Sequence, residues 1–249
     1  MNNVSVAIIT LNEEENIKDC IESVLNLSSD VVVVDCGSKD NTVKIAKGLG
    51  ANVFYHDFEN FALQKNCAMN KTSNKWVLAL DADERIPKNL ADEIKLAINT
   101  EDFSGYQIPR RNFILGAEIK YSRWSPDKHV WLWRKDLGKW VGDVHEEVIV
   151  NGKVGELKSA KIHYSHKTIK EFLNANDHYS TLEAEQMFNK KIKFSLFNMF
   201  KDGVYEFLVR FFYKKGFLDG WRGLVLSYLM FVYKITVWIK LGKLQNSKK

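Results

Sequence analysis

The chain has few cysteines and lacks the common phosphate-binding loops. Its three cysteines, Cys20, Cys36 and Cys67, are odd in number and far apart, so they predict neither a disulfide framework nor a zinc site. This usage favours a reducing cytosol. Neither GxGxxG nor GxxxxGKS/T occurs in the sequence. Any phosphate group that the chain binds would therefore be neutralised mainly by a metal ion and a few basic side chains.

The N-terminus has no basic start, and the apolar stretch of residues 6–9 is too short for a signal peptide. We therefore expect that the chain is not exported by that route. The 249 residues are 45% hydrophobic and 27% charged, which is a globular composition. This length allows one sizeable core, or a core domain with an appendage.

The net charge of +5 is unevenly distributed. Residues 190–249 contain 13 Lys and Arg against 3 Asp and Glu, a net charge of +10, so the first 189 residues carry −5. An acidic body with a basic, aromatic tail predicts two different tasks for the two parts.

The first hundred residues predict strands that alternate with helices. Asn12 is expected to cap the first helix, with Glu15 in the capping-box position. This rhythm predicts an α/β fold with a mostly parallel sheet flanked by helices. The predicted strands cover about residues 5–10, 31–35, 52–56 and 76–81, and the predicted helices start near residues 13, 42, 61 and 87.

Two carboxylates follow the fourth predicted strand, in the Asp-x-Asp pattern Asp81-Ala82-Asp83. Alternation along an extended chain places both side chains on one face. Two hard oxygen ligands suit Mg²⁺ or Mn²⁺, and such an ion commonly also holds nucleotide phosphates. The alternative is that these residues simply end a strand, as acidic residues often do in α/β proteins.

Two further polar clusters follow predicted strands, at residues 10–13 and 35–38. The topology places all three clusters along one rim of the sheet, where α/β folds bind ligands. Asp35 could accept hydrogen bonds from a base or a ribose, and Ser38 could donate to a phosphate. Ordinary turn and cap chemistry is the alternative for Ser38 and Asp40.

Taken in order, these motifs resemble glycosyltransferase family 2, of the GT-A fold. The later blocks resemble the bacterial branch that adds sugars to the lipopolysaccharide core. The resemblance covers most of the chain and implies inverting transfer from a nucleotide-diphospho-sugar to a hydroxyl of a glycan or lipid-linked acceptor. It is carried by TLNE (10–13), VDCGSKDNT (34–42), QKN (64–66), LDADE (80–84), WSPD (124–127), WR (133–134) and GDVHE (142–146).

The resemblance also implies roles for single residues. Asp35 matches the position that contacts the nucleotide base, Asp81 the ribose region, and Asp83 the divalent cation, Mn²⁺ or Mg²⁺. Lys65 stands where the pattern often has arginine, and a nucleotide contact is implied there too. The matching blocks add further donor-binding candidates, namely Thr10, Leu11, Glu13 and Ser38.

Inverting transfer needs a base that takes the proton from the acceptor hydroxyl. Glu146 matches the family's acidic position, and Glu147 is the alternative if the register shifts by one. Strand alternation would point these two side chains to opposite faces. A solvated acidic pair on an edge strand is the other interpretation.

Histidines and tryptophans give less specific predictions. Some GT-A enzymes use a histidine as a later metal or diphosphate ligand, which makes His163 the candidate, with His166 as its alternative. Either histidine could instead be structural. Four tryptophans could form an acceptor platform or belong to the core, namely Trp124, Trp131, Trp133 and Trp140.

The pattern predicts a catalytic domain over residues 1–165 and a basic amphipathic helical extension over residues 166–249. Residues 223–239 are apolar but borderline for a membrane span, so we interpret them as an interfacial helix on anionic lipid. A dimerisation or domain-packing helix is the alternative. The expected location is the inner face of the cytoplasmic membrane, and the pattern leaves the oligomeric state open.

Three other functions fit parts of the pattern. A nucleic-acid-binding protein could use the basic aromatic tail, but the tail is too apolar for a solvated binding stripe, so no nucleic acid is expected. An aspartyl phosphatase usually needs a small hydroxylated residue soon after Asp83, and Glu84-Arg85-Ile86 has none. A catalytically inactive membrane-binding module is the third.

Overall fold

The structure is a computed structural model that describes residues 3–100, 102–142 and 146–247. The chain divides into two compact units. The first comprises Met1–Arg111 and Asp127–His163, and the second comprises Asn112–Pro126 and Tyr164–Lys249.

The first four strands of the first unit are parallel, as predicted, in the order β3-β2-β1-β4. Their β-branched and apolar side chains are buried on both faces of β1, β2 and β4, which is typical of a parallel sheet covered by helices. The elements are β1 (Val4–Thr10), α1 (Ile17–Val24), β2 (Val31–Asp35), α2 (Thr42–Gly48), β3 (Asn52–Tyr55), α3 (Phe61–Asn70), β4 (Trp76–Asp81) and α4 (Lys88–Ala97).

The remaining strands make the sheet mixed. Strand β8 is antiparallel to both β4 and β6, and the order continues β4-β8-β6-β12-β5. Strand β11 pairs with β6, and β9 and β10 form a separate antiparallel pair. These strands are β5 (Glu84–Arg85), β6 (Gly105–Ile114), β7 (Ala117–Ile119), β8 (Lys128–Arg134), β9 (Gly138–Val141), β10 (Glu147–Val150), β11 (Val154–Glu156) and β12 (Lys161–Tyr164).

The start of α1 differs from the prediction. The helix begins at Ile17 after Asn16, whose side chain makes no capping hydrogen bond, so the predicted Asn12–Glu15 capping box is wrong. Asn12 instead adopts a left-handed conformation with φ 54°. Its Oδ1 accepts from the backbone N–H of Lys39 at 2.8 Å. Asn12 therefore ties the end of β1 to the turn after β2.

The second unit is built around a long apolar helix, α7. Its buried residues pack with Phe172 of α5 in one cluster and with Met199 of α6 in another. Two lysines of α7 pair with acidic residues of α5: Lys234 with Glu183 and Lys240 with Asp177. The helices are α5 (Ile169–Asn189), α6 (Leu196–Leu208) and α7 (Gly220–Ser247), and a π-helical segment (Val209–Tyr213) and a 3₁₀ turn (Gly216–Asp219) lie between α6 and α7.

Within the described residues, one helical stretch, Gly216–Ser247, is long and apolar enough to cross a membrane by length and composition. One third of its most apolar window is buried inside the structure. The buried part faces α5 and α6, so α7 contributes to the core of its own unit.

Gly203 of α6 allows a close approach to α7. A Cβ at this position would lie 3.0 Å from the ring of Phe231 and 3.2 Å from Cδ1 of Ile235. We expect Gly203→Ala to lower the free energy of unfolding by about 1 kcal/mol, because overpacking outweighs the gain in helix propensity. Urea unfolding measures the change.

Gly48→Ala is the matched control for this substitution. A Cβ on Gly48, in α2, meets no atom within 4 Å. Gly48→Ala should therefore raise the free energy of unfolding through helix propensity alone, by up to about 1 kcal/mol. Equal stabilisation by both substitutions would contradict the close packing of α6 on α7.

Candidate active site

The carboxyl ends of β1, β2 and β4 lie side by side. Thr10 pairs with Asp35 in the register of β1 and β2, and Ile9 pairs with Asp81 in the register of β1 and β4. The structure therefore brings the ends of the three predicted polar clusters to one edge of the sheet. Adjacent parallel strand ends are where α/β folds commonly bind ligands.

The turn after β2 is organised by Asp35. Its Oδ1 accepts from the backbone N–H groups of Gly37 and Ser38 at 2.9 Å each, and its Oδ2 accepts from the Ser38 hydroxyl. Ser38 Oγ in turn accepts from the backbone N–H of Asn12 at 2.8 Å. Gly37 has φ 101°, which favours glycine. Ser38 thus makes the turn interactions that the alternative interpretation predicted for it, and Asp35 is its partner.

The end of β1 contributes three predicted residues with different exposure. Thr10 is buried, and its hydroxyl has no hydrogen-bond partner among the residues the structure describes. Leu11 is half exposed. The backbone N–H of Glu13 donates to the Thr42 hydroxyl at 2.7 Å, and the Glu13 carboxylate accepts from Asn16 at the same distance.

Lys65 links the end of β4 to Glu146. Its Nζ lies 3.3 Å from Oδ1 of Asp81 and 2.9 Å from Oε1 of Glu146, and only 6% of the Lys65 side chain is exposed. The ammonium also lies 4.6 Å from the ring centroid of Trp140. Three sequence-predicted site residues are therefore in direct contact.

Asn66, next to Lys65 on α3, explains how this contact forms. Its side-chain amide donates to the backbone carbonyl of Trp140 at 2.9 Å and accepts from the Trp140 N–H at 3.0 Å. These bonds fix β9 against α3. Strand β10, which starts directly after Glu146, pairs with β9, and Glu146 lies within reach of Lys65.

The pKa values reflect this ion-pair arrangement. Burial alone would lower the pKa of Lys65, but the carboxylates of Asp81 and Glu146 outweigh burial and raise it above its ordinary value. Burial would raise the pKa of Asp81, but Lys65 and then Lys161 and Arg110 lower it to about 2. Both charges are thus maintained at neutral pH.

Asp83 faces His163. The Nε2 of His163 lies 3.1 Å from Oδ2 of Asp83, because β12 pairs with β5 and places His163 opposite Glu84. Burial lowers the pKa of His163, and the Asp83 carboxylate more than offsets this and raises it. The alternative candidate, His166, lies in the second unit with its ring 5.1 Å from that of Phe172.

The Asp83 carboxylate fits a divalent cation by its chemistry, since it offers the hard oxygen ligands that Mg²⁺ and Mn²⁺ prefer. The ring of His163 lies beside it and could add a nitrogen ligand only in its neutral form. No cluster of three or more potential ligands occurs in the part of the chain that the structure describes. Substrate phosphates complete such sites in many proteins, with one or two carboxylates from the protein.

Sequence reasoning missed a buried charge network beneath the Asp81–Asp83 turn. Glu84 is fully buried, and its Oε2 accepts from Lys161 Nζ at 2.5 Å and from the Asp81 N–H at 3.1 Å. Arg110 lies 3.4 Å from the other oxygen and 2.7 Å from Asp127. Burial lowers the pKa of Lys161 to about 8, because Glu84 only partly offsets it.

This network fixes the turn that carries Asp81 and Asp83. The one sign of it in the sequence was Glu84, the acidic residue directly after the Asp-x-Asp pattern. Its basic partners, Arg110 and Lys161, lie 26 and 77 residues away along the chain. Long-range pairs of this kind are not visible in local spacing.

Three of the predicted aromatic residues belong to the core. Trp131, Trp133 and Trp140 are buried, and the ring centroid of Trp140 lies 5.8 Å from that of Trp131 and 5.7 Å from that of Trp133. For these three, core packing is the interpretation that holds. Trp124 packs against Phe172 in the second unit, with ring centroids 6.2 Å apart.

The GDVHE block is only partly described. Asp143, Val144 and His145 lie outside the described residues. Glu146 is half-buried beside Lys65, whereas Glu147 at the start of β10 is exposed. The two carboxylates therefore differ in environment, although Glu146 lies just before β10 and not within it.

Comparisons of the sequence with a family model and with related proteins indicate the same family. The model of the family described as "Glycosyl transferase family 2" matches residues 5–146, which is more than half of the chain. An uncharacterized glycosyltransferase of Rickettsia typhi is 32% identical over 99% of this chain and 88% of its own length.

Two further similar proteins are more distant. The lipopolysaccharide core biosynthesis glycosyltransferase LpsC of Rhizobium meliloti is 29% identical over 74% of this chain and 71% of its own. The crystal structure of S. aureus TarS 1-349 superposes with a TM-score of 0.50 at 15% identity, and covers 98% of this chain and 90% of that one. The structural likeness supports the fold.

Proposed function

The chain belongs to glycosyltransferase family 2, and from this premise we propose that it is an inverting glycosyltransferase dependent on a divalent cation. The proposed donor is a nucleotide-diphospho-sugar. The proposed acceptor is a hydroxyl of a glycan or a lipid-linked glycan, and the name of the LpsC relative supports the lipopolysaccharide core as its setting.

The adjacent strand ends support a donor site on the first unit. We propose that Asp35 contacts the base and that Asp81 lies by the ribose, since the parallel register brings both to one edge. The remaining proposed donor contacts come from the neighbouring turns and from α3, at Thr10, Leu11, Glu13, Ser38 and Lys65.

The observation that carries the proposal is the contact of Lys65 with both Asp81 and Glu146. It joins the proposed donor site to the proposed base. In the reaction, Glu146 takes the proton of the acceptor hydroxyl as its oxygen attacks the anomeric carbon. The bond from that carbon to the phosphate oxygen breaks, and the nucleoside diphosphate leaves with the electron pair.

Asp83 and His163 are the residues that would hold a Mn²⁺ or Mg²⁺ ion. When bound, such an ion supplies positive charge that stabilises the departing diphosphate. Glu84 and Lys161 hold the turn beneath Asp83, so the carboxylate is positioned before any ligand arrives.

We further propose that residues 1–165 carry catalysis and that the extension, 166–249, brings the enzyme to the inner face of the cytoplasmic membrane. Support comes from the basic, aromatic composition of the extension and from the apolar helix α7. A lipid-linked acceptor would be found at that surface.

A thermal-shift screen of UDP-, GDP-, ADP- and dTDP-sugars, with and without Mn²⁺, tests the proposed function. A ligand at a hundredfold excess over its Kd stabilises the folded state by about 2.7 kcal/mol. We expect stabilisation by one nucleotide class, and only with the cation. Donor hydrolysis in the same samples distinguishes an enzyme from an inactive binding module. No stabilisation by any donor would contradict the proposal.

A further inference from the structure

Helix α6 carries an exposed apolar face that no described part of the chain covers. Leu196, Phe200, Val204 and Leu208 recur at intervals of four and form one stripe along the helix, with Phe197 beside the first of them. Phe197 is 75% exposed and Phe200 is 57% exposed. We define the α6 face by its five exposed apolar residues, Leu196, Phe197, Phe200, Val204 and Leu208.

The α6 face forms most of the lining of an apolar groove. Its side chains line an open groove of about 580 Å³ together with Tyr205 and the stem of Lys201. The stripe continues past the end of α6 through Phe212 and Tyr213, which are 56% and 77% exposed. Contiguous exposed apolar surface of this kind marks an interaction site in a soluble protein.

The opposite side of α6 is fixed on α7. Met199, Gly203 and Glu206 are buried there, and Gly203 lies close to Phe231. The α6 face therefore cannot turn inward without breaking the core of the second unit. Helix α7 serves as a scaffold that presents α6 outward.

The charge around the α6 face is positive. All three acidic residues between positions 190 and 222 are engaged inside the unit: Asp202 accepts from Trp238 Nε1, Glu206 pairs with Arg123 and Arg210, and Asp219 accepts from two backbone N–H groups. Six lysines of the same stretch are exposed, namely Lys190, Lys191, Lys193, Lys201, Lys214 and Lys215.

An exposed apolar stripe with lysines at its margin favours an anionic lipid surface as the binding partner. Exposed phenylalanine and leucine with tyrosine and lysine at the margin are what a helix lying in a membrane interface carries. A second copy of the chain would bring two lysine-rich margins together, and like charges repel.

We propose that the α6 face inserts into the interfacial layer of an anionic bilayer, while its lysines bind the lipid headgroups. This deepens the membrane association in the proposed function and assigns it to α6 instead of residues 223–239 of α7. The enzyme would then be peripheral, with the buried side of α7 packed against α5 and α6.

Co-sedimentation of the full-length protein with vesicles tests the assignment. One vesicle type is phosphatidylcholine alone, and the other contains equal parts of phosphatidylcholine and phosphatidylglycerol. We expect binding to the second type, and a decrease in affinity of about tenfold or more for Phe197→Ser with Phe200→Ser, because each ring leaves the bilayer. Lys214→Gln with Lys215→Gln should lower the affinity by about thirtyfold at low salt, with little loss left at high salt.

Matched controls are available on the first unit. Leu96 of α4 is 73% exposed, so Leu96→Ser removes a comparable apolar side chain elsewhere. Lys44→Gln with Lys47→Gln removes two exposed lysines of α2. Both controls should bind as the wild type does. Equal losses in the controls, or wild-type binding by the α6 variants, would overturn the assignment.

Two further readouts separate the remaining explanations. Sedimentation velocity without lipid would reveal a dimer, and a dimer that Phe197→Ser with Phe200→Ser dissociates would assign the α6 face to a second copy. Nucleotide-sugar binding with Mn²⁺ does not require lipid. Vesicle binding without nucleotide-sugar binding would refute the proposed function but support the α6 face as the membrane-binding surface. Nucleotide-sugar binding without vesicle binding would support the proposed function and refute the α6 assignment.

Discussion

Glu146→Gln is expected to slow sugar transfer by about a hundredfold or more while donor affinity stays unchanged, because a general base contributes at least this much. Glutamine keeps the shape of the side chain, and its carbonyl oxygen can still accept a hydrogen bond from Lys65. Lys65 also keeps its contact with Asp81. The substitution therefore removes the proton acceptor with little change to the proposed donor site. Single-turnover transfer and isothermal titration with the donor measure the two quantities.

Glu147→Gln is the matched control for this substitution. Glu147 is the next residue along the chain, but it is exposed at the start of β10 and does not contact Lys65. We expect the wild-type transfer rate. Slow transfer by the Glu147→Gln variant with normal transfer by the Glu146→Gln variant would identify Glu147 as the base. The contact of Glu146 with Lys65 would then not serve proton transfer.

The parallel half of the fold was predictable because its signals are local. The β-branched run of β2 and the apolar run of β4 mark buried parallel strands, and both strands have the bounds that the pattern predicted. Resemblance to a family extended this to the GT-A fold. The start of α1 was not predictable in the same way, because Asn12 forms its hydrogen bonds with Lys39 and Ser38 of another turn.

The chemistry of the candidate site was only partly predictable. The Asp81–Asp83 pattern indicated an acidic strand end, but the contact between Lys65 and Glu146 joins residues 81 positions apart. This contact depends on the hydrogen bonds between the Asn66 side chain and the backbone of Trp140. The periodicity of the sequence gives no sign of that pairing. Glu84 was hidden for a similar reason, since its charge is balanced by Lys161 and Arg110 from distant strands.

The second unit shows the same limit. Residues 112–126 look like part of a sheet domain, yet they group with the C-terminal helices. Arg123 of this segment pairs with Glu206 of α6, and the Asn112 amide donates to the backbone of Trp124. Charge and aromatic content predicted an amphipathic tail, but packing decides which of its helices has an uncovered apolar face.

Asp83→Asn is expected to lower the transfer rate by about a thousandfold, because a divalent cation contributes several kcal/mol of charge stabilisation and each 1.4 kcal/mol is tenfold in rate. Asparagine keeps a hydrogen-bonding oxygen near His163 but removes the negative charge that binds the ion. The fold should survive, since Glu84 and Lys161 hold the turn without help from Asp83. The Mn²⁺-dependent shift in melting temperature with the stabilising nucleotide-sugar should disappear, which measures cation binding independently of turnover.

Asp92→Asn tests whether the loss is specific to this position. Asp92 is exposed on α4 in the same unit, so its substitution removes one negative charge from the unit without altering the strand ends. It should retain the Mn²⁺-dependent shift and the wild-type rate. A normal rate for Asp83→Asn at limiting Mn²⁺ would show that Asp83 does not hold the cation. A normal shift with a slow rate would instead place Asp83 in the chemical step, because the charge would then matter only after the donor and the ion are bound.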